Sequence, residues 1–592
     1  MFTFNSKMSA NNMGRNIKEG EIQLPEEDSL LQDCTASWVS NTTCLTVLNP
    51  DCDSECIELS YGEFESLSRK AAGWIEEKGV RDGDTVILLI RNPALLMVVF
   101  WGAVLRGAIP TILAYPNFKL DRPKYAFGLA GIVHNTKVQL IISDSNFVSG
   151  FKELIPLSFR SLLLGITYQD LENAVPFDSD LLTNPDNPVL LQHSAGTTGL
   201  QKGVVLSHRQ VLRQLRKLAR HLELDRKDLI ASWLPLYHDM GLIACFLLPL
   251  SAGLHIVIQS PDDWVLQPLS FLEIITRYRA TRCWLPNFAF SFLQKRVRHS
   301  HCDDLDLSSL QSIINCSEPI TNSAMDLFYE TFKAYGLSGS AMQTSYAMAE
   351  NVFAVTHSIR GNSPTKITVN ADHLSPGNKI RETINIGRRS LTLVSSGICL
   401  ENTEIGIRFQ NRWLSEGGIG EIWVRSDCLF IDYLPKIDST QGLKNGWFET
   451  GDFGFVFNGE LYVLGRLDDV MVIGGRNMHP KDVEEIVSQH PSIRDGRIIA
   501  FGISSLESGT QDLIVIAELN KNRELLEPEI IERELRKTIV SSLGIAPCIV
   551  RVVGSGWIVK SSAGKPARKA TRDRFLDSNP DLKKAHGWTV RS

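Results

Sequence analysis

The chain has 592 residues, 43% of them hydrophobic and 22% charged, with a formal net charge of −6. That length exceeds what one hydrophobic core supports, so two or more domains are predicted, and the composition is that of a soluble globular protein. The mildly acidic balance supplies no electrostatic footprint for nucleic acid. In chain order, Met1 to Gly20 is polar and lacks the apolar core of a signal peptide. A disordered lead-in is predicted over residues 1–25, with Met8 and Met13 as alternative starts. The eleven cysteines are odd in number and scattered, and read as reduced thiols of a cytoplasmic protein. Cys52 and Cys56 are close enough to share a zinc ion, yet no second Cys/His pair follows at finger spacing.

Val86–Ile90 reads as a strand, Ala94–Leu105 as a buried helix ended by Gly107, and Val138–Ser143 as a further strand: the alternation of an α/β fold. The most apolar stretches are Thr85–Tyr115, interrupted by Arg91, Asn92 and Arg106, and Leu242–Ile258, which carries a Gly-Leu-His turn. Both read as buried elements, and no membrane insertion is predicted. Val189–Leu191 predicts a buried strand opening into a loop of Ser194, Gly196, Thr197, Thr198, Gly199 and Lys202. Small residues let backbone N–H groups approach an anion, hydroxyls add donors and the lysine adds a full charge, which suits a polyphosphate. It is not a Walker loop, because Lys202 is followed by Gly203 and the two glycines stand too close.

Ser207 predicts a helix cap, with Leu212, Leu215, Ala219 and Leu222 on one face. Arg209, Arg213, Arg216, Lys217 and Arg220 form the other face, read as solvated or as a docking surface for an acidic carrier protein. Residues 400–465 turn to short strands and glycines, a β-rich subdomain. Strands at Arg497–Ile503, Leu513–Leu519 and Ile549–Val553, with a helix over Pro528–Leu543 stopped by Gly544, predict a small α+β domain at the C-terminus.

The loop at 194–202 resembles the nucleotide loop of adenylate-forming (ANL) enzymes, and five further stretches resemble that family's motifs in the required order. They are Ser232-Trp-Leu-Pro-Leu-Tyr-His-Asp-Met-Gly-Leu242, Thr344-Ser-Tyr-Ala-Met-Ala-Glu350, Glu449-Thr-Gly-Asp452, Gly465-Arg-Leu-Asp-Asp469 and Ser561-Ser-Ala-Gly-Lys565. Where the family commonly has Ser and Pro, this loop has Ala195 and Gln201, losing a hydroxyl and some stiffness. Pro235–Leu242, Leu285-Pro-Asn-Phe-Ala-Phe290 and an extra segment over about 357–389 resemble the fatty acyl-AMP ligase branch.

The resemblance implies a fold of two α/β subdomains plus the β-rich subdomain over 26–466, followed by a small mobile α+β domain over 467–592. It implies ATP and Mg²⁺, the ion on Glu350. Ser194, Gly196, Thr197, Thr198, Gly199, Lys202, Ser317, Glu318, Pro319, Thr344, Ser345, Tyr346, Asp452 and Arg466 would hold the nucleotide. Trp233, His238, Met240, Gly241, Asn287 and Phe288 would hold the acid. Lys565, His238 and Glu350 are the catalytic candidates and Asp468 the hinge. The implied reaction is activation of a medium- or long-chain fatty acid to acyl-AMP with pyrophosphate release. Transfer to the phosphopantetheine thiol of an acyl carrier protein, in lipid, polyketide or lipopeptide assembly, would follow, with the insertion hindering the pose that admits CoA. The alternatives are an acyl-CoA synthetase and a non-catalytic nucleotide-binding homologue.

Overall fold

Short β-branched runs alternating with apolar helices favour parallel sheets covered on both faces. The computed structural model has two of them. It describes the chain except residues 1–3, 6–21, 23, 49–55, 116–121, 156, 180, 182, 194–201, 298–303, 371–372, 384–389, 435–442, 470, 474–475, 479, 506–510, 521–526, 544, 561–565, 587 and 590–592. The larger sheet has nine strands, whose parallel centre runs Met342–Ala347, Ser312–Cys316, Arg282–Pro286, Leu229–Ser232, His255–Gln259, Thr43–Leu48. Antiparallel strands close both edges. The second sheet is four parallel strands in the order Ile109–Ile112, Thr85–Leu89, Leu140–Asp144, Leu163–Ile166.

The helix Pro93–Leu105 is capped by the Asn92 side chain, which accepts from Leu95 N at 3.0 Å, and every residue from Ala94 to Leu105 is buried. Burial all round explains its membrane-like hydropathy. Among the described residues, no helix is long and apolar enough to cross a membrane.

Pro188–His193 is a strand, but it pairs antiparallel with Gly203–Ser207, so the predicted phosphate loop is the connection of a hairpin. The helix after it, His208–His221, starts at Ser207 with a capping box closed by Gln210. Its basic face is taken up in ion pairs, with Arg220 at its end remaining exposed. Arg209 pairs with Asp186, Arg213 with Glu27, Arg216 with Glu26, Lys217 with Asp427 and Arg220 with Glu401. The carboxylates come from the N-terminal segment, the stretch before the hairpin and the β-rich subdomain, so the helix is clamped between them. The end of the expected lead-in takes part: the Leu24 and Pro25 carbonyls accept from Arg216, and Ile22 and Leu24 pack on the core. Phe4–Asn5 adds a short strand against Ile405 and Glu404.

The β-rich subdomain orders Thr403–Phe409, Gly420–Ser426, Phe448–Phe457 and Glu460–Arg466 antiparallel. Within the predicted insertion, Lys366–Asn370 forms a hairpin with Ser390–Val394. Its Ile367 and Val369, with Leu374 and Ile380, share a buried cluster with Phe453, Phe455 and Leu464. The C-terminal sheet orders Ile549–Val553, Gln511–Leu519, Ile493–Ser505 and Trp588–Thr589, with the helix Pro528–Leu543 against it through Ile531, Leu535 and Ile539. The nine described cysteines are all free thiols, six of them buried. Cys56 is exposed, and Cys52 lies outside the described residues.

Candidate active site

In a parallel sheet the loops that leave the C-terminal ends of the strands gather along one edge, where α/β proteins bind ligands. Here Leu229–Ser232 leads to Trp233, Arg282–Pro286 to Asn287 and Phe288, Ser312–Cys316 to Ser317, and Met342–Ala347 carries Tyr346 toward Glu350. Ser317 sits at φ +67°, an unusual backbone for a side-chain-bearing residue.

Across from this edge, Asp452 lies on the β-rich strand Phe448–Phe457, its backbone aimed by Gly451 at φ +69°. The Tyr346 hydroxyl donates to Asp452 Oδ2 at 2.5 Å, and Arg466 Nη1 donates to Oδ1 at 3.0 Å and to the Thr450 carbonyl at 3.1 Å. Burial and the Asp452 charge hold the Tyr346 phenol well above its usual range, so it stays a donor. A carboxylate has about four lone-pair directions. With one donor on each oxygen, Asp452 keeps acceptor capacity for a vicinal diol such as a ribose.

Glu350 stands in a tight turn, Ala349–Asn351, followed by a γ-turn in which Phe353 N donates to the Asn351 carbonyl at 2.7 Å over Val352 at φ +64°. Such a turn is strained and needs support from outside. Gln192 Nε2, on the strand before the phosphate loop, donates to the Val352 carbonyl at 3.3 Å. The Glu350 carboxylate is half-buried and accepts from the Tyr433 hydroxyl at 2.8 Å. Burial pushes its carboxyl above the usual range, while the Tyr433 hydrogen bond pulls it down. Tyr433 sits on Asp432–Leu434, paired with Gly203–Ser207, and the Lys202 ammonium lies 5.2 Å from its ring centre. One tyrosine thus joins the cation leaving the phosphate loop to the carboxylate predicted to hold the metal.

On the acyl side, Trp233 and Trp264 stack at 3.6 Å and 2°, with Phe288 edge-on to both and 39% exposed. Gly241 is required where it stands, since a Cβ there would lie 2.4 Å from the Pro235 carbonyl oxygen. Asp239 caps Met240 N at 2.8 Å and lies 3.3 Å from His238 Nδ1, orienting a half-buried imidazole. Met240 Sδ receives the Ser317 hydroxyl at 3.7 Å.

The structure brings Tyr346, Asp452 and Arg466 together, and separately Glu350 and Lys202 on either side of Tyr433. Other predicted contacts turn inward. Thr344 and Ser345 are buried, their hydroxyls donating to the Ser395 and Thr356 carbonyls at 2.8 Å. Asn287 holds Thr321 and Asn315. The Glu318 carboxylate accepts from Phe288 N at 2.9 Å, and the Pro319 carbonyl accepts from Lys481 at 2.9 Å. Ser194, Gly196, Thr197, Thr198, Gly199 and Lys565 lie outside the described residues, and Asp468 falls in a short turn, Leu467–Asp469. Sequence reasoning did not single out Tyr433, Trp264 or Asp239. Asp239 adjoins His238 inside the motif Ser232–Leu242, whereas Tyr433 and Trp264 belong to none.

A family model described as AMP-binding enzyme matches residues 38–434. A medium-chain-fatty-acid–[acyl-carrier-protein] ligase of Moorena producens is 26% identical, covering 89% of this chain and 92% of its own. A long-chain-fatty-acid–AMP ligase of Mycolicibacterium smegmatis is 25% identical over 95% and 96%. A solved structure from a study of fatty acyl-adenylate ligases from E. coli and L. pneumophila superposes with a TM-score of 0.85 at 25% identity, covering 95% of this chain and all of that one. With a matched region spanning most of its length, an α/β ANL fold and a small α+β domain behind it, the chain belongs to the AMP-binding enzyme family.

Proposed function

We propose that this chain activates a fatty acid with ATP to give acyl-AMP and pyrophosphate, and then passes the acyl group to the phosphopantetheine thiol of an acyl carrier protein. The observation that carries this reading is the meeting of Tyr346, Asp452 and Arg466 from two different sheets, with Arg466 close enough to the Glu350–Tyr433 pair for its charge to act on both. In the first step a carboxylate oxygen of the acid attacks the α-phosphorus, the bond to the β-phosphate breaks, and pyrophosphate leaves with the electron pair. Anion meets anion, so the protein's contribution is positioning and charge neutralisation. Asp452 would accept from the ribose hydroxyls and Arg466 would face the phosphates. Lys202, with Ser194, Gly196, Thr197, Thr198 and Gly199, would hold the triphosphate, and Lys565 would meet the oxygens shared by acid and α-phosphate. Trp233, Phe288, Met240 and Gly241 would flank the acid, with His238 orienting its carboxylate.

Glu350 fits Mg²⁺ as a hard oxygen ligand that is partly exposed to an arriving ion. When bound, that ion neutralises phosphate charge. In the second step the thiol sulfur attacks the acyl carbon, the C–O bond to AMP breaks, and the thiol proton goes to solvent. The preference for a carrier protein over CoA rests on the insertion. Its hairpin packs on Phe453 and Leu464, beside Asp452 and Arg466, and so stiffens the strands leading to the hinge at Asp468. The name of the Moorena producens relative gives the same acceptor, and both relatives' names give the same substrate class.

Purified protein given ATP, Mg²⁺ and a panel of fatty acids is expected to release pyrophosphate only with an acid present, and mass spectrometry should detect the acyl-adenylate. Holo-carrier protein should then be acylated and CoA should not. Rapid acyl-CoA formation would replace the proposal with an acyl-CoA synthetase, and no acid-dependent turnover would leave a binding protein. Deleting residues 357–389 should raise CoA ligation. If it stays nil, the insertion does not hinder the pose that admits CoA.

A further inference from the structure

The C-terminal sheet assembles a second cluster of reactive side chains, built from residues outside those assigned to ATP. Asp512, Cys548 and His586 bring a carboxylate oxygen, a thiol sulfur and an imidazole nitrogen within 4.8 Å of one another. Three distant parts of the chain meet there. Gln511–Leu519 pairs in parallel with Ile549–Val553, and Cys548 N donates to the Leu513 carbonyl at 2.8 Å, which sets the thiol beside Asp512. Trp588 pairs with Ser505, whose hydroxyl donates to the His586 carbonyl at 3.0 Å, which brings in the imidazole.

We propose that Asp512, Cys548 and His586 bind a borderline-soft divalent cation of the Zn²⁺ type, with solvent completing a tetrahedral shell. A mixed S, N and O donor set is the one zinc takes. Metal–ligand lengths of about 2.0–2.3 Å require the donor atoms to stand roughly 3.3–3.8 Å apart, a closure that side-chain rotation supplies. The surroundings position the ligands. Trp588 Nε1 donates to Asp512 Oδ2 at 2.7 Å, the outer-shell contact that aims a ligating carboxylate. The Trp588 ring stacks on His586 at 4.9 Å and 13°, fixing the imidazole plane. Arg536 donates to the Pro547 and Cys548 carbonyls and holds that backbone. All three ligands are partly exposed, so an ion has a way in. Bound there, it would staple the edge strand Trp588–Thr589 and the preceding helix Pro580–Ala585 to the domain's sheet.

The full-length protein, stripped with a chelator, is titrated with Co²⁺ and then Zn²⁺. The expected result is about one equivalent of Co²⁺ with a thiolate-to-cobalt absorption band, displaced by Zn²⁺ and lost in Cys548→Ser. His586→Asn should weaken Co²⁺ binding by at least about tenfold, and Trp588→Phe by about 10–100-fold. Neither variant should change acid-dependent pyrophosphate release if that activity is present. Absence of the band, or a band surviving Cys548→Ser, overturns the proposal, since another thiol would then be binding, and so does an unchanged Co²⁺ affinity in His586→Asn. If Cys548→Ser fails to fold, the partly exposed His586→Asn decides alone.

Discussion

Asp452 takes a hydrogen bond from each neighbouring element on a different oxygen, and the two donors can be tested apart. Tyr346→Phe keeps the ring and removes one neutral donor. It should raise the KM for ATP about fivefold, roughly 1 kcal/mol, with little change in kcat. Asp452→Asn also removes the charge that holds Arg466. It should lower kcat/KM for ATP by roughly tenfold to a hundredfold, about 1.5–3 kcal/mol, in pyrophosphate-release kinetics. Two buried histidines give a pH dependence. Burial holds His208 down at about 4 and, with help from His221, His357 at about 3. Both are neutral when folded, whereas the unfolded chain protonates near pH 6.5. Stability is therefore full above about pH 6.5 and is lost as pH falls toward 4, by up to about 1.4 kcal/mol per pH unit for each. His208 Nδ1 accepts from Leu31 N at 3.0 Å. His208→Gln should therefore flatten this acid limb in denaturant midpoints taken at stepped pH. Asp452, Arg466 and Tyr346 were legible in the sequence because each sits in a contiguous motif. Tyr433 was not, because its partner Glu350 lies 83 positions away and nothing local marks the pair.

Helix His208–His221 illustrates what pattern can and cannot give at the scale of an element. Its cap and apolar stripe were readable from Ser207 and the leucine spacing. The fate of its basic face was not, because solvated and ion-paired faces have the same sequence pattern and its acids are as remote as Asp427. The Lys217 side chain is 5% exposed. Lys217→Met should leave Asp427 poorly solvated and cost about 3 kcal/mol in chemical denaturation, with Asp427→Asn in the same chain recovering part of it. The insertion is similar. The hairpin strand Lys366–Asn370 lies inside the expected segment, but its return strand runs on to Val394, and its packing on Phe453 depends on a sheet formed later in the chain.

For the whole molecule, strand-and-helix alternation made the α/β layers and the C-terminal α+β unit legible. Sheet order and the antiparallel hairpin around the phosphate loop depend on long-range pairing that no local pattern encodes. Buried apolar side chains follow the same division. One cluster runs from Leu31 to Leu461, while two others, Met471–Val552 and Ile499–Trp588, close within the last part of the chain. Between these bodies stand polar contacts such as Lys295–Asp495 at 2.5 Å and Ser323–Glu485 at 2.8 Å, of the kind worth less than about 1 kcal/mol each. Cores that share no side chain have little reason to melt together. Scanning calorimetry of the ligand-free chain should resolve two heat-capacity peaks, drawn toward one by a stable acyl-adenylate analogue gripped from both sides. One sharp peak without ligand would mean the two bodies are coupled far more strongly than their seam suggests.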